Sequence, residues 1–352
     1  MRFLRLFFLL SGILLPSLTQ IGFAQQRFSK NLHIISGHTN RELDQNRILV
    51  YIDESNELEI EDILKLEQND YIEANYLTRF DESNTYWMYY RINDSGDEPL
   101  SHILRGGTNA KETYYVVIND QITEHKTGYL FPASERSIPQ GHDTKIRIDH
   151  PPKGEAHVYV RVQNTDGAPI DLKARLEPYQ EWYDNKERVN LFQGFFTGLI
   201  IVVAMLNFFL FGFTKQKAFL FFALYCLFNL SYFLEEYGIL EVWLYPETAN
   251  LVSFLKFGPI LSVAFYCLFA KEFLELYKGF PFWNRTVKTI AYFSFVFFIL
   301  VAGFNIISGN YYTSFRIFEG YMAVASFTAI VFLISINLKP NLLVRYFSMG
   351  TT

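Results

Sequence analysis

Cysteine and histidine are scarce in this sequence of 352 residues, and their positions limit its chemistry. The two cysteines, Cys226 and Cys267, both lie in apolar runs, and none precedes Cys226. The first 225 residues therefore contain no disulfide and no zinc site built from thiolates. All seven histidines lie at or before His157. The second half thus lacks the phosphoacceptor histidine that a histidine kinase domain requires.

Motifs for phosphate binding, metal binding and nucleophilic catalysis are also missing. Arg105-Gly106-Gly107 lacks the spacing of a phosphate-binding loop and is interpreted as a turn. The pairs His33 with His38 and His142 with His150 lack ligand-like spacing. No serine or cysteine stands in a nucleophile elbow, and no basic block indicates nucleic-acid binding. We therefore predict a chain with no catalytic residues, no metal and no cofactor.

Charged residues crowd the part of the chain before Arg188 and become rare after it. A helix of about 20 apolar residues crosses the hydrocarbon core of a bilayer. Five apolar runs of that kind follow one another, and a sixth begins near the end. They cover residues 189–214, 218–234, 249–270, 289–315 and 320–338, with the sixth starting at 342. This pattern predicts an α-helical membrane domain over 191–352, with five complete spans and the start of a sixth.

The N-terminus has the three parts of a secretory signal peptide over residues 1–24. Arg2 and Arg5 precede an apolar run at 6–15, and Gly22-Phe23-Ala24 fits a cleavage site. An uncleaved anchor helix is the alternative, and in both cases the following residues are translocated. Basic residues flank every other loop, which places the start of the first span outside. The prediction is a multi-pass membrane protein whose N-terminal domain is extracytoplasmic.

Residues 25–178 alternate with period two between turn signals, which is typical of β-strands. Two strands are predicted at 86–92 and 157–163. In the first, Tyr86, Met88, Tyr90 and Ile92 share one face. Further strand candidates are 47–52, 58–64, 102–105, 113–118, 145–148 and 172–176. About eight short strands predict an all-β sandwich of the jelly-roll type, followed by a juxtamembrane linker at 179–190.

The opposite faces of these two strands carry aromatic rings, guanidinium groups and an amide. Their members are Trp87, Tyr89, Arg91, Tyr159, Arg161 and Gln163. Rings stack on the apolar faces of sugars, and arginine and glutamine hydrogen-bond hydroxyl groups. We therefore predict a shared ligand-binding face. The alternative is that these are partly exposed strand residues whose arginines pair with nearby carboxylates.

Lys256 is the only charged residue that clearly lies inside one of the predicted spans. A lone ammonium at that depth is costly, so it either snorkels to the interface or pairs with an anion. Glu235 and Glu236 end the preceding span on the same side, and only one of them can face span three. Gly258-Pro259 is expected to kink this helix.

Several segments resemble the seven-transmembrane receptors with diverse intracellular signalling modules. They are Tyr86–Asn93, Thr127-Gly128-Tyr129-Leu130-Phe131-Pro132-Ala133-Ser134-Glu135-Arg136, Val158–Asn164, Leu191-Phe192-Gln193-Gly194-Phe195-Phe196-Thr197-Gly198, Asn207-Phe208-Phe209-Leu210-Phe211 and Leu343-Val344-Arg345-Tyr346-Phe347. The resemblance implies a jelly-roll outer domain that binds a small extracellular ligand, with carbohydrate as one candidate. Arg91, Arg136 and Arg161 match positions where the family commonly has arginine, and Arg136 is included among the predicted ligand-binding residues.

The resemblance further implies a bacterial sensory receptor in the lipid bilayer of the inner membrane, with its N-terminal domain in the periplasm or extracytoplasmic space. Such a receptor relays its signal to a cytoplasmic module in cis or in trans. That module, a kinase, a cyclase or a DNA-binding domain, is not recognisable in this chain, and the predicted sixth span is incomplete. A two-component signalling system and a homodimeric receptor are both consistent with this resemblance. The alternatives are a multi-span transporter, which usually carries more intramembrane charges, and a membrane-tethered carbohydrate-binding protein.

Overall fold

A computed structural model describes residues 32–35, 40–77, 80–81, 83–139, 141, 144–248, 255–338 and 342–351. The predicted signal peptide at 1–24, together with His38 and His142, lies outside these residues. The chain divides into two compact units, residues 1–186 and residues 187–352. The first unit is built from β-strands and the second from helices.

The first unit consists of two β-sheets. The strands are β1 Leu32–Ile35, β2 Arg41–Glu42, β3 Leu49–Asp53, β4 Ile72–Glu73, β5 Thr85–Asp94, β6 Leu100–Arg105, β7 Lys111–Ile118, β8 Gln121–Thr127, β9 Lys145–His150, β10 Glu155–Gln163 and β11 Arg175–Pro178. One sheet has the order β4-β3-β5-β10-β7-β8, with β1 pairing to β5, and the other has the order β2-β11-β6-β9. β1 runs parallel to β5, and every other described pairing between two of these strands is antiparallel. The predicted β-sandwich is confirmed.

The core between the sheets is formed by alternate residues of the central strands, as the period-two pattern predicts. Tyr86, Met88, Tyr90 and Ile92 of β5 all lie in it and are at most 1% exposed. On β10 the valines at 158, 160 and 162 occupy the same layer. Because successive side chains of a strand point to opposite faces, the other residues of β5 and β10 necessarily face away from the second sheet.

The prediction of a strand at 58–64 is wrong, since the helix α1 forms at Ile60–Ile63. The two isoleucines are three residues apart, so one helical turn brings both to the same side. Both are buried against the outer face of the larger sheet. The predicted strand at 172–176 is displaced to Arg175–Pro178. Leu172 and Ala174 precede it as irregular core residues.

The last strand of the sandwich passes directly into a long helix, α2, at Tyr179–Thr214. The residues predicted as a linker, 179–190, form its first turns. Pro178 lacks a backbone N–H and so suits the point where strand pairing ends and a helix begins. Within the first unit the guanidinium carbon of Arg147 lies 4.4 Å from the ring centre of Tyr179, and Asn40 donates to Glu181 at 3.2 Å.

The second unit contains the remaining helices. They are α3 Lys217–Glu236, α4 Ile239–Trp243, α5 Gly258–Phe273, α6 Leu276–Gly279, α7 Pro281–Ser308, α8 Tyr311–Asn337 and α9 Leu342–Thr351. Four of the described helices are long and apolar enough to cross a bilayer, namely α2, α3, α7 and α8. Of the predicted third span, residues 249–254 lie outside the described residues, and α5 has 16 residues. The chain is a multi-pass membrane protein.

Helices α3 and α5 pack closely at Gly258. A Cβ added there would collide with Ser231 Oγ and lie 2.9 Å from the carbonyl oxygen of Phe228. One turn further along, the hydroxyl of Ser262 lies 3.4 Å from Asn229 Oδ1. Small and hydroxyl-bearing residues at such crossings let two helix backbones approach each other in lipid.

The expected kink at Gly258-Pro259 is replaced by a helix start. Helix α5 begins at Gly258 and carries Pro259 in its first turn, where the missing N–H would have no helical partner. Lys256 and Phe257 form a turn just before it. Lys256 therefore does not lie in the middle of a continuous helix.

Gly258→Ala should destabilise the membrane unit, because the added methyl group meets a backbone carbonyl that cannot rotate away. Overpacking of this kind costs about 1–3 kcal/mol, seen as a lower midpoint of thermal unfolding in detergent. Gly303→Ala is the matched control, since a Cβ there has nothing within 4 Å. Equal midpoints for the two variants would show that the α3–α5 crossing does not depend on this contact.

Candidate functional site

The outer face of the larger sheet brings together most of the predicted ligand-binding residues. Tyr159 pairs with Tyr89, and Arg161 pairs with Trp87, across β10 and β5. The rings of Tyr89 and Tyr159 are 4.8 Å apart, and Trp87 stacks on Tyr115 of β7 at 5.9 Å. The shared face exists on one sheet.

The aromatic part of this face is covered. Trp87 and Tyr89 have no exposed surface, and Tyr159 is 2% exposed. The cover is made by apolar side chains of residues 58–71. Its members are Leu58, Ile60, Ile63, Leu64, Leu66 and Tyr71. The open stacking surface expected from the alternation is therefore not present, because period two specifies which residues share a face and does not specify whether solvent reaches it.

The predicted arginines are engaged with protein groups. Arg91 Nε pairs with Glu155 Oε1, and Arg161 Nη1 lies 3.3 Å from Glu59 Oε1. Arg136, 5% exposed, donates to the carbonyl oxygens of Phe131 at 2.8 Å and Tyr129 at 3.1 Å. The alternative interpretation, in which the strand arginines pair with nearby carboxylates, describes Arg91 and Arg161. Arg136 is not part of β5 or β10, and its hydrogen bonds stabilise the loop in which it lies.

One edge of the covered face remains accessible and polar, and we name it the Arg161 rim. It consists of Asn56, Glu59, Arg161 and Gln163. Arg161 donates to the Asn56 carbonyl at 3.1 Å, and its guanidinium carbon lies 5.7 Å from the centre of the Trp87 ring. Gln163 donates to Thr85 at 3.2 Å. Asn56 and Glu59 are exposed, and Arg161 and Gln163 are half-buried.

A buried polar contact at the other end of this face was missed from the sequence. The hydroxyl of Tyr89 lies 2.9 Å from Nδ1 of His157, and Nε2 of His157 lies 3.2 Å from Glu155 Oε1. Burial lowers the pKa of His157, with Glu155 acting in the opposite direction. The sequence could have indicated this contact, because His157 and Tyr159 are two residues apart on a predicted strand and therefore share a face.

Trp87→Ala should destabilise the sandwich by about 3–5 kcal/mol, the usual cost of removing a fully buried large aromatic ring. The measurement is the denaturant dependence of hydrogen exchange at β10 amides in the full chain. Tyr76→Ala, at a side chain that is 70% exposed, should change stability by no more than about 0.5 kcal/mol. If Trp87→Ala were as mild as this control, Trp87 would not be a core residue.

In the membrane unit, Lys256 contacts one of the two glutamates predicted to be its partners. Lys256 Nζ lies 3.3 Å from Glu236 Oε2 and is 5.5 Å and 5.4 Å from the ring centres of Tyr311 and Phe315. Glu235, the neighbouring residue, is 2% exposed. The ammonium group thus joins the end of α3 to the start of α8 from a position just before α5. A carboxylate and two ring faces together offset part of its desolvation.

Lys256→Glu should lower the thermal midpoint of the membrane unit, because it places two carboxylates together and removes the cation from the rings. We expect a loss of about 1–3 kcal/mol, between the values for exposed and buried pairs. Adding Glu236→Lys should restore part of the loss, whereas adding Glu235→Lys should not. Equal recovery by either second change, or by neither, would contradict the specific Lys256–Glu236 pair.

Two family models match the chain, in the same order as its two units. The model described as 7TMR-DISM extracellular 2 matches residues 45–175, and the model described as 7TM diverse intracellular signalling matches residues 189–352. No individual curated protein matches the chain. The first match covers most of the β-sandwich and the second covers the membrane unit. The chain therefore belongs to the family of seven-transmembrane receptors with diverse intracellular signalling modules.

Proposed function

We propose that this membrane sensory receptor binds a small ligand on its outer β-sandwich and relays the event through its helices to a cytoplasmic signalling module, in cis or in trans. The observation that carries the proposal is helix α2, which begins one residue after the last strand of the sandwich and continues to Thr214. Because no residue separates β11 from α2, a displacement of β11 would also displace the first turn of α2. The family's receptor architecture supports the same direction of signalling.

We propose the Arg161 rim as the ligand site, since the rings beneath it are covered. A carboxylate, a guanidinium group and two amides there offer both donors and acceptors, which is the repertoire that a polyhydroxylated ligand such as a sugar requires. Arg161 also holds the covering segment through Glu59 and the Asn56 carbonyl. A ligand that competes for Arg161 would therefore loosen residues 56–59.

The membrane part of the relay is assigned to the α3–α5 contact and the Lys256–Glu236 pair. Gly258 lets the backbones of α3 and α5 approach each other closely, and the Lys256–Glu236 ion pair joins the end of α3 to the residues just before α5. A transporter is the second candidate, but Lys256–Glu236 is the single ion pair among described residues that involves a lysine predicted to lie inside a span, and transport sites usually hold several such groups. The extracytoplasmic side of a bacterial inner membrane is the proposed location of the sandwich.

The test uses the full chain in lipid nanodiscs and a panel of neutral mono- and oligosaccharides, screened by thermal shift. A sugar that binds should lose at least about tenfold in affinity with Arg161→Ala, the equivalent of about 1.4 kcal/mol. Lys153→Ala is the control, because Lys153 is exposed and pairs with Asp97 at a turn. A panel without any binder would contradict carbohydrate as the ligand class.

Transmission is tested by lengthening α2 after Lys186. Seven inserted alanines keep the helix intact and nearly in phase, with a drift of about 20°, whereas seven glycines interrupt it. The ligand should change hydrogen exchange at residues 228–236 and 256–262 in the wild type and the alanine variant, but not in the glycine variant. Ligand affinity should be the same in the wild type and in both variants, which would show that the insertions affect transmission and not binding. A glycine variant that transmits normally would overturn the relay through α2.

A further inference from the structure

A fully buried carboxyl group, Glu112, lies on the core face of β7, between the two sheets. It has no exposed surface. Tyr114 donates its hydroxyl hydrogen to Glu112 Oε2 at 2.6 Å, and Asn109 donates to Glu112 Oε1. The hydroxyl of Thr144 is its third hydrogen-bonding neighbour. A buried acid in the core of a sandwich is unusual enough to need a reason.

The glycine at 106 makes room for this cluster. A Cβ at Gly106 would lie 2.5 Å from Glu112 Oε2 and from Thr144 Oγ1, and it would collide with the hydroxyl of Tyr114. The three oxygens therefore converge on one point that a side chain would fill. The segment Arg105-Gly106-Gly107, interpreted from the sequence as a turn, thus serves to admit a buried polar group.

Among the described residues, no cation forms an ion pair with the carboxyl group. The titratable groups that face it are Tyr114 on its own strand, Tyr90 on β5 and Asp171 on the segment before β11. None of the ion pairs among described residues includes Glu112. Burial raises the pKa of Glu112 from its usual 4.5 to about 7, and the neighbouring Asp171 acts in the same direction. A carboxyl group with this pKa changes charge near neutral pH.

Ionisation of Glu112 creates a second acceptor that competes for the hydroxyl hydrogen of Thr144. Its hydroxyl donates to the Gly107 carbonyl at 2.7 Å, and a hydroxyl has a single hydrogen to donate. When Glu112 is protonated, the acid can donate to Thr144 while that bond stays in place. When Glu112 is ionised, the carboxylate competes for the same hydrogen, and a buried carbonyl without a donor is destabilised.

The cluster is connected to the exit of the sandwich through Asn109. The Asn109 amide donates both to Glu112 and to the Asp171 carbonyl, the latter at 2.7 Å. Asn109 Oδ1 accepts from the backbone N–H of Asp171 at 2.9 Å. Asp171 is followed by the core residues Leu172 and Ala174, and then by β11 and α2. A contiguous set of hydrogen bonds thus runs from the carboxyl group to Asp171, which lies four residues before the start of β11.

We propose that Glu112 is a proton-binding site through which the outer domain responds to external pH, its ionisation loosening residues 106–110 and 171–174 ahead of β11. The passage of this change into the membrane rests on the relay proposed above. The proton site itself does not, because it requires neither a ligand nor α2. The pKa of Glu112 in the folded domain lies above its usual value of 4.5. The stability that protonated Glu112 contributes to the folded domain is therefore fully present below about pH 4.5 and is lost as the pH rises through about 7.

The experiment compares the full chain in nanodiscs at pH 5.5 and pH 8.5 without added ligand. After correction for intrinsic exchange rates, hydrogen-exchange protection at 106–110 and 171–174 should fall by at least about tenfold at the higher pH, since one pKa unit corresponds to a factor of ten. Glu112→Gln, which resembles the neutral acid, should remove this difference. Glu124→Gln, on the exposed partner strand of the same hairpin, should retain it.

Infrared difference spectroscopy of the wild type reports the proton directly. A band of a protonated carboxylic acid should be present at pH 5.5, absent at pH 8.5 and missing from Glu112→Gln. A wild type with no acid titrating in this interval would overturn the proposal even if Glu112→Gln failed to fold. A Glu112→Gln protein that keeps the pH-dependent exchange would overturn it equally. Neither outcome bears on sugar binding or on relay through α2.

Discussion

Burial of both faces of the central strand pair, β5 and β10, is the constraint on which the outer domain depends. One face packs against the second sheet through Tyr86, Met88 and the valines of β10. The other packs beneath residues 58–71 through Trp87, Tyr89 and Tyr159. A large apolar side chain contributes about 1.5–3 kcal/mol on full burial, so these two layers dominate the stability of the unit. The second layer is also the reason that aromatic residues resembling a sugar platform are core residues.

Because the rings are covered, the proposed ligand site uses polar groups at the edge of the layer instead. Arg161 is central there because one guanidinium group touches Glu59 and the Asn56 carbonyl and lies over Trp87. It therefore links the surface to the cover and to the core beneath it. A side chain with that set of contacts can convert a surface event into a change in packing, which an isolated surface residue cannot do.

The buried polar groups of the two units follow one rule with different solutions. In the membrane unit, Lys256 is matched by Glu236 and two aromatic rings. In the sandwich, Glu112 has three neutral hydrogen-bonding neighbours and a nearby carboxylate. An ion in a low-dielectric site needs either a countercharge or the loss of its own charge. The first arrangement holds helices together, and the second leaves a group that can titrate.

The sequence by itself determined the division into a β-unit and a multi-span helical unit, because hydrophobic periodicity and the distribution of charge depend directly on whether water or lipid surrounds a segment. It also determined which residues of β5 and β10 share a face, since alternation is a property of the strand alone. Tertiary structure decided what lies on top of that face. Residues 58–64 of this cover were predicted as a strand, because a short apolar segment carries no signal that distinguishes a strand from a helical turn. The Glu112 cluster likewise depends on Thr144 and Asp171, which are distant from Glu112 in sequence and come near it only when the two sheets pack together.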